Sequence, residues 1–300
     1  MQEVIQELQA HIQDVRVQES LAEHTTWKIG GPADIFMLVH HAEELQAAVR
    51  ILRQHGIPWT LIGRGSNTLV SDRGIRGAVI KLGTEFENLV FEDEIVRVGG
   101  AYSFIKLSVM AGKQGLTGLE YAGGIPGTVG GAVYMNAGAH GSDVSRILQS
   151  AEVLLETGER VTYSAEDLAF SYRHSLLQRV PGIVIEAVFK LEYGDRKEIA
   201  ASMASYKDRR LRTQPLQMAC AGSVFRNPEG HYAAKLIEDA GLKGTRCGGA
   251  EVSRQHANFI VNTGNATAID VLTLIERIKA TIAAQYGVEL ETEVLMVGER

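Results

Sequence analysis

Cysteine is scarce in this 300-residue chain: Cys220 and Cys247 are its only two. Two thiols without metal-ligand spacing exclude a disulfide framework, and both read as plain thiols of a reducing compartment. The nine histidines include the adjacent pair His40-His41 but no His-x-x-x-His or Cys/His cluster, so no metal site is expected. No apolar run approaches the ~20 residues that a membrane helix needs. The first residues, Met1 to Leu8, lack both the basic stretch and the apolar run of a signal peptide. Basic charge is lacking too: 30 Lys and Arg stand against 36 Asp and Glu, a net charge of −6. The densest basic run, Lys207 to Arg212, is short. That balance argues against nucleic acid as a partner and leaves small anions open. With no long coiled-coil heptads, a monomer is the default expectation. The chain reads as cytoplasmic and soluble.

What remains is an ordinary globular composition, 45% hydrophobic and 22% charged, long enough for two to three domains. Glycine is the one excess, at 32 residues, of which twelve fall between Gly99 and Gly141. The spacing of apolar residues predicts helices over 4–12, 42–54, 103–112, 197–211, 232–240 and 268–286. In the last of these, Thr267 is the expected N-cap, Gly287 the stop, and Ile269, Leu272, Ile275, Ile278 and Ile282 one apolar face. Strands are expected at 59–62, 78–82, 95–99, 182–191, 257–261 and 288–297, with a hairpin at 151–163. The fold class is α+β, an N-terminal α+β region to about residue 194 followed by a smaller α+β domain.

Two glycine-rich segments could carry chemistry. Gly63-Arg64-Gly65-Ser66-Asn67 follows a strand and offers successive N–H groups, a hydroxyl and an amide to phosphate oxygens. It is neither a dinucleotide fingerprint nor a P-loop, and a tight turn between strands explains it as well. Gly123-Gly124-Ile125-Pro126-Gly127-Thr128-Val129-Gly130-Gly131 holds five glycines in nine residues. Such a run lets main chain approach a flat or charged ligand, or lets two backbone segments cross closely. Asn136, Gly138 and His140 could extend the same wall. Two such loops without a Walker or Rossmann pattern point to a dinucleotide, FAD in particular. Ser223, Arg173 and Glu293 are anonymous by themselves. Ser223 lacks a nucleophile elbow, and Glu289, Glu291 and Glu293 would alternate onto one solvated strand face.

Several motifs taken in order resemble the UDP-N-acetylenolpyruvoylglucosamine reductase (MurB) family of peptidoglycan precursor synthesis. They are Thr26-Trp27-Lys28-Ile29-Gly30-Gly31-Pro32-Ala33-Asp34, then Gly63-Arg64-Gly65-Ser66-Asn67-Thr68-Leu69-Val70, then Gly124 through Gly138. Ser171-Tyr172-Arg173, Ala221 through Pro228 and Leu290 through Val294 continue the series, so the resemblance spans nearly the whole chain. It implies an N-terminal helical segment (1–26), a PCMH-type FAD-binding region of two α+β subdomains (27–194) and a C-terminal α+β substrate-binding domain (195–300).

The resemblance also implies a reaction. NADPH reduces a non-covalently bound FAD, which then reduces the enolpyruvyl ether of UDP-N-acetylglucosamine enolpyruvate by hydride transfer to C3. Enolate-like charge then develops on C2 and the carboxylate. Carried over by motif, Arg173 stabilises that charge, Glu293 polarises the acceptor beside it, and Ser223 delivers the proton to C2. Gly63, Arg64, Gly65, Ser66, Asn67, Thr68 and Leu69 would contact the cofactor. So would Gly123, Gly124, Ile125, Pro126, Gly127, Gly130, Gly131, Asn136 and Gly138. Tyr172, Arg212, Asn227, Lys235 and His256 would contact the substrate, with Arg212 and Asn227 at its diphosphate. Forty-nine residues separate Arg173 from Ser223, so the tyrosine-bearing insertion of some members is absent here. Two rivals stand beside this reading: another PCMH-type flavoprotein, and a non-catalytic UDP-sugar sensor.

Overall fold

A computed structural model describes residues 1–299 in two compact units, each assembled from separated stretches of chain. The first comprises Met1–Val17, Ile35–Gly63 and Gly77–Arg209. The second comprises Gln18–Asp34, Arg64–Arg76 and the chain from Arg210 onward.

The first unit has two cores. Helices α1 (Gln2–His11) and α2 (Ala42–Gln54) place apolar residues three and four apart, so Val4, Leu8, Leu45, Val49 and Leu52 share one buried cluster. Glu44 opens α2 by accepting the N–H groups of His40 and His41. These helices share their core with a four-stranded sheet in the order Asp14–Ser20, Pro32–Val39, Ile75–Leu82, Trp59–Leu61. The second core lies on a five-stranded antiparallel sheet ordered Arg160–Ser164, Leu148–Leu155, Gly182–Lys190, Ile95–Gly99, Leu89–Glu92. Helices α3 (Phe104–Gln114) and α4 (Val129–Tyr134) contribute Phe104, Leu107, Val129 and Val133 to it. Ser103 caps α3 through the N–H of Lys106, and left-handed Gly115 ends it. Helix α5 (Arg196–Thr213) is polar, with Ile199 alone fully buried, and its last residues count with the second unit.

The second unit holds a four-stranded antiparallel sheet ordered Ala219–Cys220, Ile260–Asn262, Ala250–Val252, Arg246–Cys247, with α6 (Ala233–Asp239) and α7 (Ala268–Tyr286). Trp27 is fully buried in its core and donates its indole N–H to the carbonyl of Ile260. Asn262 in turn donates to the carbonyl of Trp27. Thr68–Val70 pairs in parallel with Leu295–Val297, and Asp72 caps α7 by accepting the N–H groups of Ala268 and Ile269. These contacts draw Gln18–Asp34 and Arg64–Arg76 into the second unit. The compact units therefore do not follow contiguous blocks divided at 26 and 194.

Most expected elements form, with several departures. The segment 1–26 is helical only to His11; Asp14–Ser20 is a strand, followed by a 3-10 turn at Leu21–His24. On α7 the buried face is Ala268, Val271, Leu274, Ile275, Ile278 and Ile282, while Ile269 is 61% exposed beside the cap. The final strand shrinks to Leu295–Val297, and the strand expected at 257–261 forms as Ile260–Asn262. Glu289–Glu293 is not a strand face: its backbone is taken up locally, with Arg226 N–H donating to Glu291 O and Phe225 bridging Thr292.

Candidate active site

The strand Trp59–Leu61 leads into Gly63, whose place a side chain would contest with Thr128. A Cβ on Gly63 would stand 2.9 Å from the Thr128 hydroxyl oxygen. That approach joins the end of the strand to the second glycine run within the first unit. Thr128 is also the N-cap of α4, its hydroxyl accepting the N–H of Gly131. The run is stitched to the turn before α3: Phe104 N–H donates to Gly127 O, Val129 N–H to Tyr102 O, and Gly130 N–H to Gly100 O. Close crossing of two backbones therefore accounts for Gly130, where a Cβ would stand 3.1 Å from Gly100 O. Gly131 is exposed, with only the Thr128 hydroxyl near its missing side chain. Gly123 and Gly124 end a 3-10 turn, followed by half-buried Ile125 and exposed Pro126. Among the described residues the buried hydroxyls of Ser108 and Tyr121 have no hydrogen-bond partner, and Ser108 Oγ lies 3.3 Å from the position of a Cβ on Gly123. Burial, aided by Asp143, pushes the Tyr121 phenol well above the ordinary tyrosine range.

The rest of the first loop belongs to the second unit. Gly65 holds φ +60, and a Cβ there would come 2.3 Å from the carbonyl of His24, so only glycine fits. Thr26 N–H donates to Gly65 O while the Thr26 hydroxyl donates to Cys220 O. Asn67 donates its side-chain amide to the carbonyl of Glu293 at 3.0 Å and accepts the N–H of Leu295 on its own carbonyl. Thr68 and Leu69 continue into the parallel pair, Leu69 buried in the core. Arg64 is exposed and Ser66 half-buried.

Arg173 lies at the tip of a tight turn in which Ser171 and His174 exchange both backbone hydrogen bonds. Its φ of +56 is a left-handed conformation that a non-glycine residue holds only under constraint. The guanidinium donates to Gly138 O at 2.9 Å and stacks over the ring of Tyr172 at 4.8 Å. Tyr172 itself is half exposed. Asn136, buried with φ +42, braces the turn: its amide donates to Ser171 O and accepts from Ser145 N–H. Gly138 sits on a short hairpin with Ser142–Asp143, and His140 stacks flat on Tyr206 of α5 at 3.9 Å.

In the second unit, Ser223 and Glu293 lie on neighbouring segments. Glu293 N–H donates to Val224 O at 2.8 Å, one residue from the Phe225–Thr292 bridge. Both side chains are half-buried. Asn258 secures the other side of the segment by bonding both backbone groups of Phe225. The structure thus brings Ser223 and Glu293 side by side, and places Arg173 in the first unit.

The remaining expected substrate contacts divide by their partners. Asn227 is exposed, and its amide oxygen accepts the N–H of Ala233 at the start of α6. Lys235 is bound to Asp239 one turn on, which raises its ammonium above the ordinary lysine value. His256 is half-buried, its Nδ1 accepting from Asn258 N–H; partial burial, then the nearby Lys243, lower it below the usual histidine range. Arg212 is exposed, with its carbonyl held by Gln255. Arg210, two residues earlier, is the half-buried member of the basic run; partial burial lowers its guanidinium, and its Nε donates to Gln214. Among the described residues no group of three or more His, Cys, Asp and Glu could hold a metal ion. Sequence reasoning missed Thr128, Asn258 and Asp72. Thr128 alone carried a legible signal, a threonine directly before a helical run.

Comparison with known proteins covers the whole chain. Residues 33–164 match the family described as FAD binding domain, and residues 214–297 match the C-terminal domain of UDP-N-acetylenolpyruvoylglucosamine reductase. UDP-N-acetylenolpyruvoylglucosamine reductase of Anoxybacillus flavithermus is 55% identical over 294 residues, covering 98% of this chain and 97% of that protein. The same-named protein of Halalkalibacterium halodurans is 51% identical over 301 residues and covers both chains completely. Among solved structures, the UDP-N-acetylenolpyruvylglucosamine reductase of Thermus caldophilus aligns with TM-score 0.82 at 38% identity, over 94% of this chain and 99% of that one. A berberine bridge enzyme variant aligns over 64% of this chain and 44% of its own, with TM-score 0.51 at 14% identity, a likeness of fold alone.

Proposed function

The chain belongs to the UDP-N-acetylenolpyruvoylglucosamine reductase family, and from that premise we propose how its residues divide the work. It is an oxidoreductase, a UDP-N-acetylmuramate dehydrogenase of peptidoglycan precursor synthesis, with FAD as cofactor and NADPH as co-substrate. The single observation that carries this reading is identity above 50% sustained along the entire chain.

The residues fit a dinucleotide. Gly131 is exposed, with only the Thr128 hydroxyl near its missing side chain, and among the described residues the buried Ser108 hydroxyl beside Gly123 and the buried Tyr121 hydroxyl have no hydrogen-bond partner. Bound there, FAD supplies a two-electron carrier between NADPH and the enolpyruvyl group. Gly63 to Leu69 and Gly123 to Gly131 would hold it, with Gly138 extending that wall. Asn136 belongs to the same set through the turn that it braces.

Arg173 supplies a fixed positive charge where negative charge develops on the substrate carboxylate and C2. Preorganised charge of this kind contributes several kcal/mol to a barrier. Glu293 polarises the acceptor, and Ser223 hands its hydroxyl proton to C2. A serine hydroxyl gives up its proton reluctantly, so it serves only against a strongly basic incipient carbanion at which it is already aimed. Pairing of the Val224 and Glu293 backbones keeps the two segments in register, which supports assigning both residues to one step. Tyr172 backs the guanidinium and meets the substrate. Arg212 takes the diphosphate, with Asn227, Lys235 and His256 as lesser contacts.

We assign residues 27–194 to FAD binding and 195–300 to substrate binding, with 1–26 as support. Among the described residues no helix is long and apolar enough to cross a membrane. We place the enzyme in the cytoplasm as a monomer.

The test is NADPH oxidation by the purified protein under anaerobic conditions, with and without UDP-N-acetylglucosamine enolpyruvate. Multiple turnovers only with that substrate are expected. A yellow protein that NADPH bleaches but that stalls after one turnover would indicate another flavoenzyme of this fold. A colourless protein still inactive after FAD is added would indicate a sensor.

A further inference from the structure

We propose that Gln178 is a positioning residue for Arg173, holding the left-handed turn that aims the guanidinium. The proposal rests on the role given to Arg173 above. Gln178 closes the 3-10 turn Leu176–Gln178, and its amide nitrogen donates twice: to Arg173 O at 3.0 Å and to Tyr134 O at 3.2 Å. Backbone carbonyls only accept, so the amide is oriented with Nε2 toward them. Its oxygen therefore faces His174 Nδ1, 3.1 Å away, and that ring nitrogen carries the proton.

The arrangement ties three things to one side chain. Tyr134 is the last residue of α4, the helix that starts at the glycine run, so the Arg173 turn is fastened to that helix. The neighbouring Ser175 hydroxyl also donates to Tyr134 O, which makes the carbonyl a shared anchor. Arg173 is gripped at both ends, its carbonyl by Gln178 and its guanidinium by Gly138 O. With φ at +56, its backbone relaxes toward the right-handed or extended regions once the grip is lost. Relaxation swings the side chain off its aim, while the guanidinium and its charge remain present. A displacement of about 1 Å can cost on the order of 10²-fold in rate, so a loss of roughly ten-fold or more is expected from Gln178→Met.

The test measures how fast pre-reduced holoenzyme is reoxidised by UDP-N-acetylglucosamine enolpyruvate, in Gln178→Met, Arg173→Ala and the double variant. Gln178→Met should slow reoxidation roughly ten-fold in the wild-type background and less than about two-fold in the Arg173→Ala background, since a residue acting through Arg173 has nothing left to position. An equal loss in both backgrounds overturns the proposal. Wild-type reoxidation by Arg173→Ala alone would instead sink the role given to Arg173, and the proposal with it. A readout independent of activity is hydrogen exchange at the mutually bonded amides of Ser171 and His174, which should accelerate in Gln178→Met; unchanged protection refutes the grip. Should Gln178→Met fail to fold, Gln178→Glu keeps the bulk and the acceptor for His174. Ionised, it sets carboxylate lone pairs against two carbonyls; protonated, it can donate to Arg173 O. Its reoxidation rate should rise as the pH falls, and a profile parallel to wild type overturns the proposal.

Discussion

Replacing Asn258 by alanine should destabilise the second unit more than any exposed substitution near Ser223. Asn258 is 4% exposed, and its amide completes a double hydrogen bond with Phe225, accepting the N–H at 2.9 Å and donating to the carbonyl at 2.8 Å. Its own carbonyl accepts Val224 N–H at 2.9 Å. The side chain thus stands in for a strand along a segment that has only the single Phe225–Thr292 bridge on its other side. Alanine leaves one buried N–H and one buried carbonyl without partners. At about 1–3 kcal/mol for each unsatisfied group, the cost is roughly 2–6 kcal/mol. For a unit of about 120 residues, each kcal/mol lowers the midpoint by roughly 3–5 °C, so a fall of at least about 6 °C is expected. Trp27, fully buried in this unit, reports its melting by fluorescence once Trp59 of the first unit is replaced by phenylalanine. A midpoint within about 2 °C of the parent would refute the reasoning, because two orphaned polar groups cannot cost so little without water reaching both.

Three further outcomes follow from the site. Arg173→Ala should slow substrate reduction by about 10²-fold or more while flavin content is unchanged; stopped-flow absorbance separates the two. Gly65→Ala places a Cβ 2.3 Å from His24 O at φ +60, so the variant should lose flavin and melt several degrees lower, readable from its absorption spectrum and thermal unfolding. His256 sits below its unfolded value, about 6.5, so the unfolded state binds the proton more readily. Stability is therefore fully present above about pH 6.5 and falls as the pH drops through the lower folded value. Denaturant titrations should show this acid-side slope, and His256→Gln should flatten it.

The helices were legible because their signals are local. Thr267 and Gly287 bound α7 as expected, and α2 runs from Ala42 to Gln54 as its spacing predicts. Ile269 fell on the wrong side because repeated steps of three residues drift around a helix of 3.6 residues per turn: six residues before Ile275, it lies about 120° away from that residue's direction and stands exposed. The strand Pro32–Val39 was missed altogether, since a mostly buried run of apolar residues does not alternate. The division of the chain was out of reach for a deeper reason. Trp27, Ile29 and Leu69 are apolar residues like any others until a core some 200 residues away takes them in.

The candidate site was legible only through the order of its motifs, and the geometry around its residues explains why. Ser223 and Glu293 lie seventy positions apart, and a short antiparallel register joins them. That register depends on Asn258, a residue with no motif around it. Arg173 carries its information in a backbone angle, which spacing cannot express, and Gln178 and Asn136 enforce that angle from either side. Glycine shows the same split. Gly130 is explained by its neighbours' hydrogen bonds, and Gly65 by a carbonyl that a side chain would strike, whereas Gly131 faces open space beside Thr128. A glycine demanded by packing and a glycine kept for a ligand look identical in sequence. The neighbours distinguish them, so Gly131, rather than the whole run, is the position where a substitution should loosen the cofactor without loosening the fold. Gly131→Ala should therefore melt within about 2 °C of the parent in the absence of FAD, because its Cβ meets only the Thr128 hydroxyl at 3.4 Å, a contact that a small shift relieves. Its affinity for FAD, measured by titration of the apoprotein, should fall by about ten-fold or more, since a lost close approach worth ~1.4 kcal/mol is a factor of ten in binding. Equal FAD affinity in the two proteins would return Gly131 to the packing class and leave the open face without a ligand to explain it.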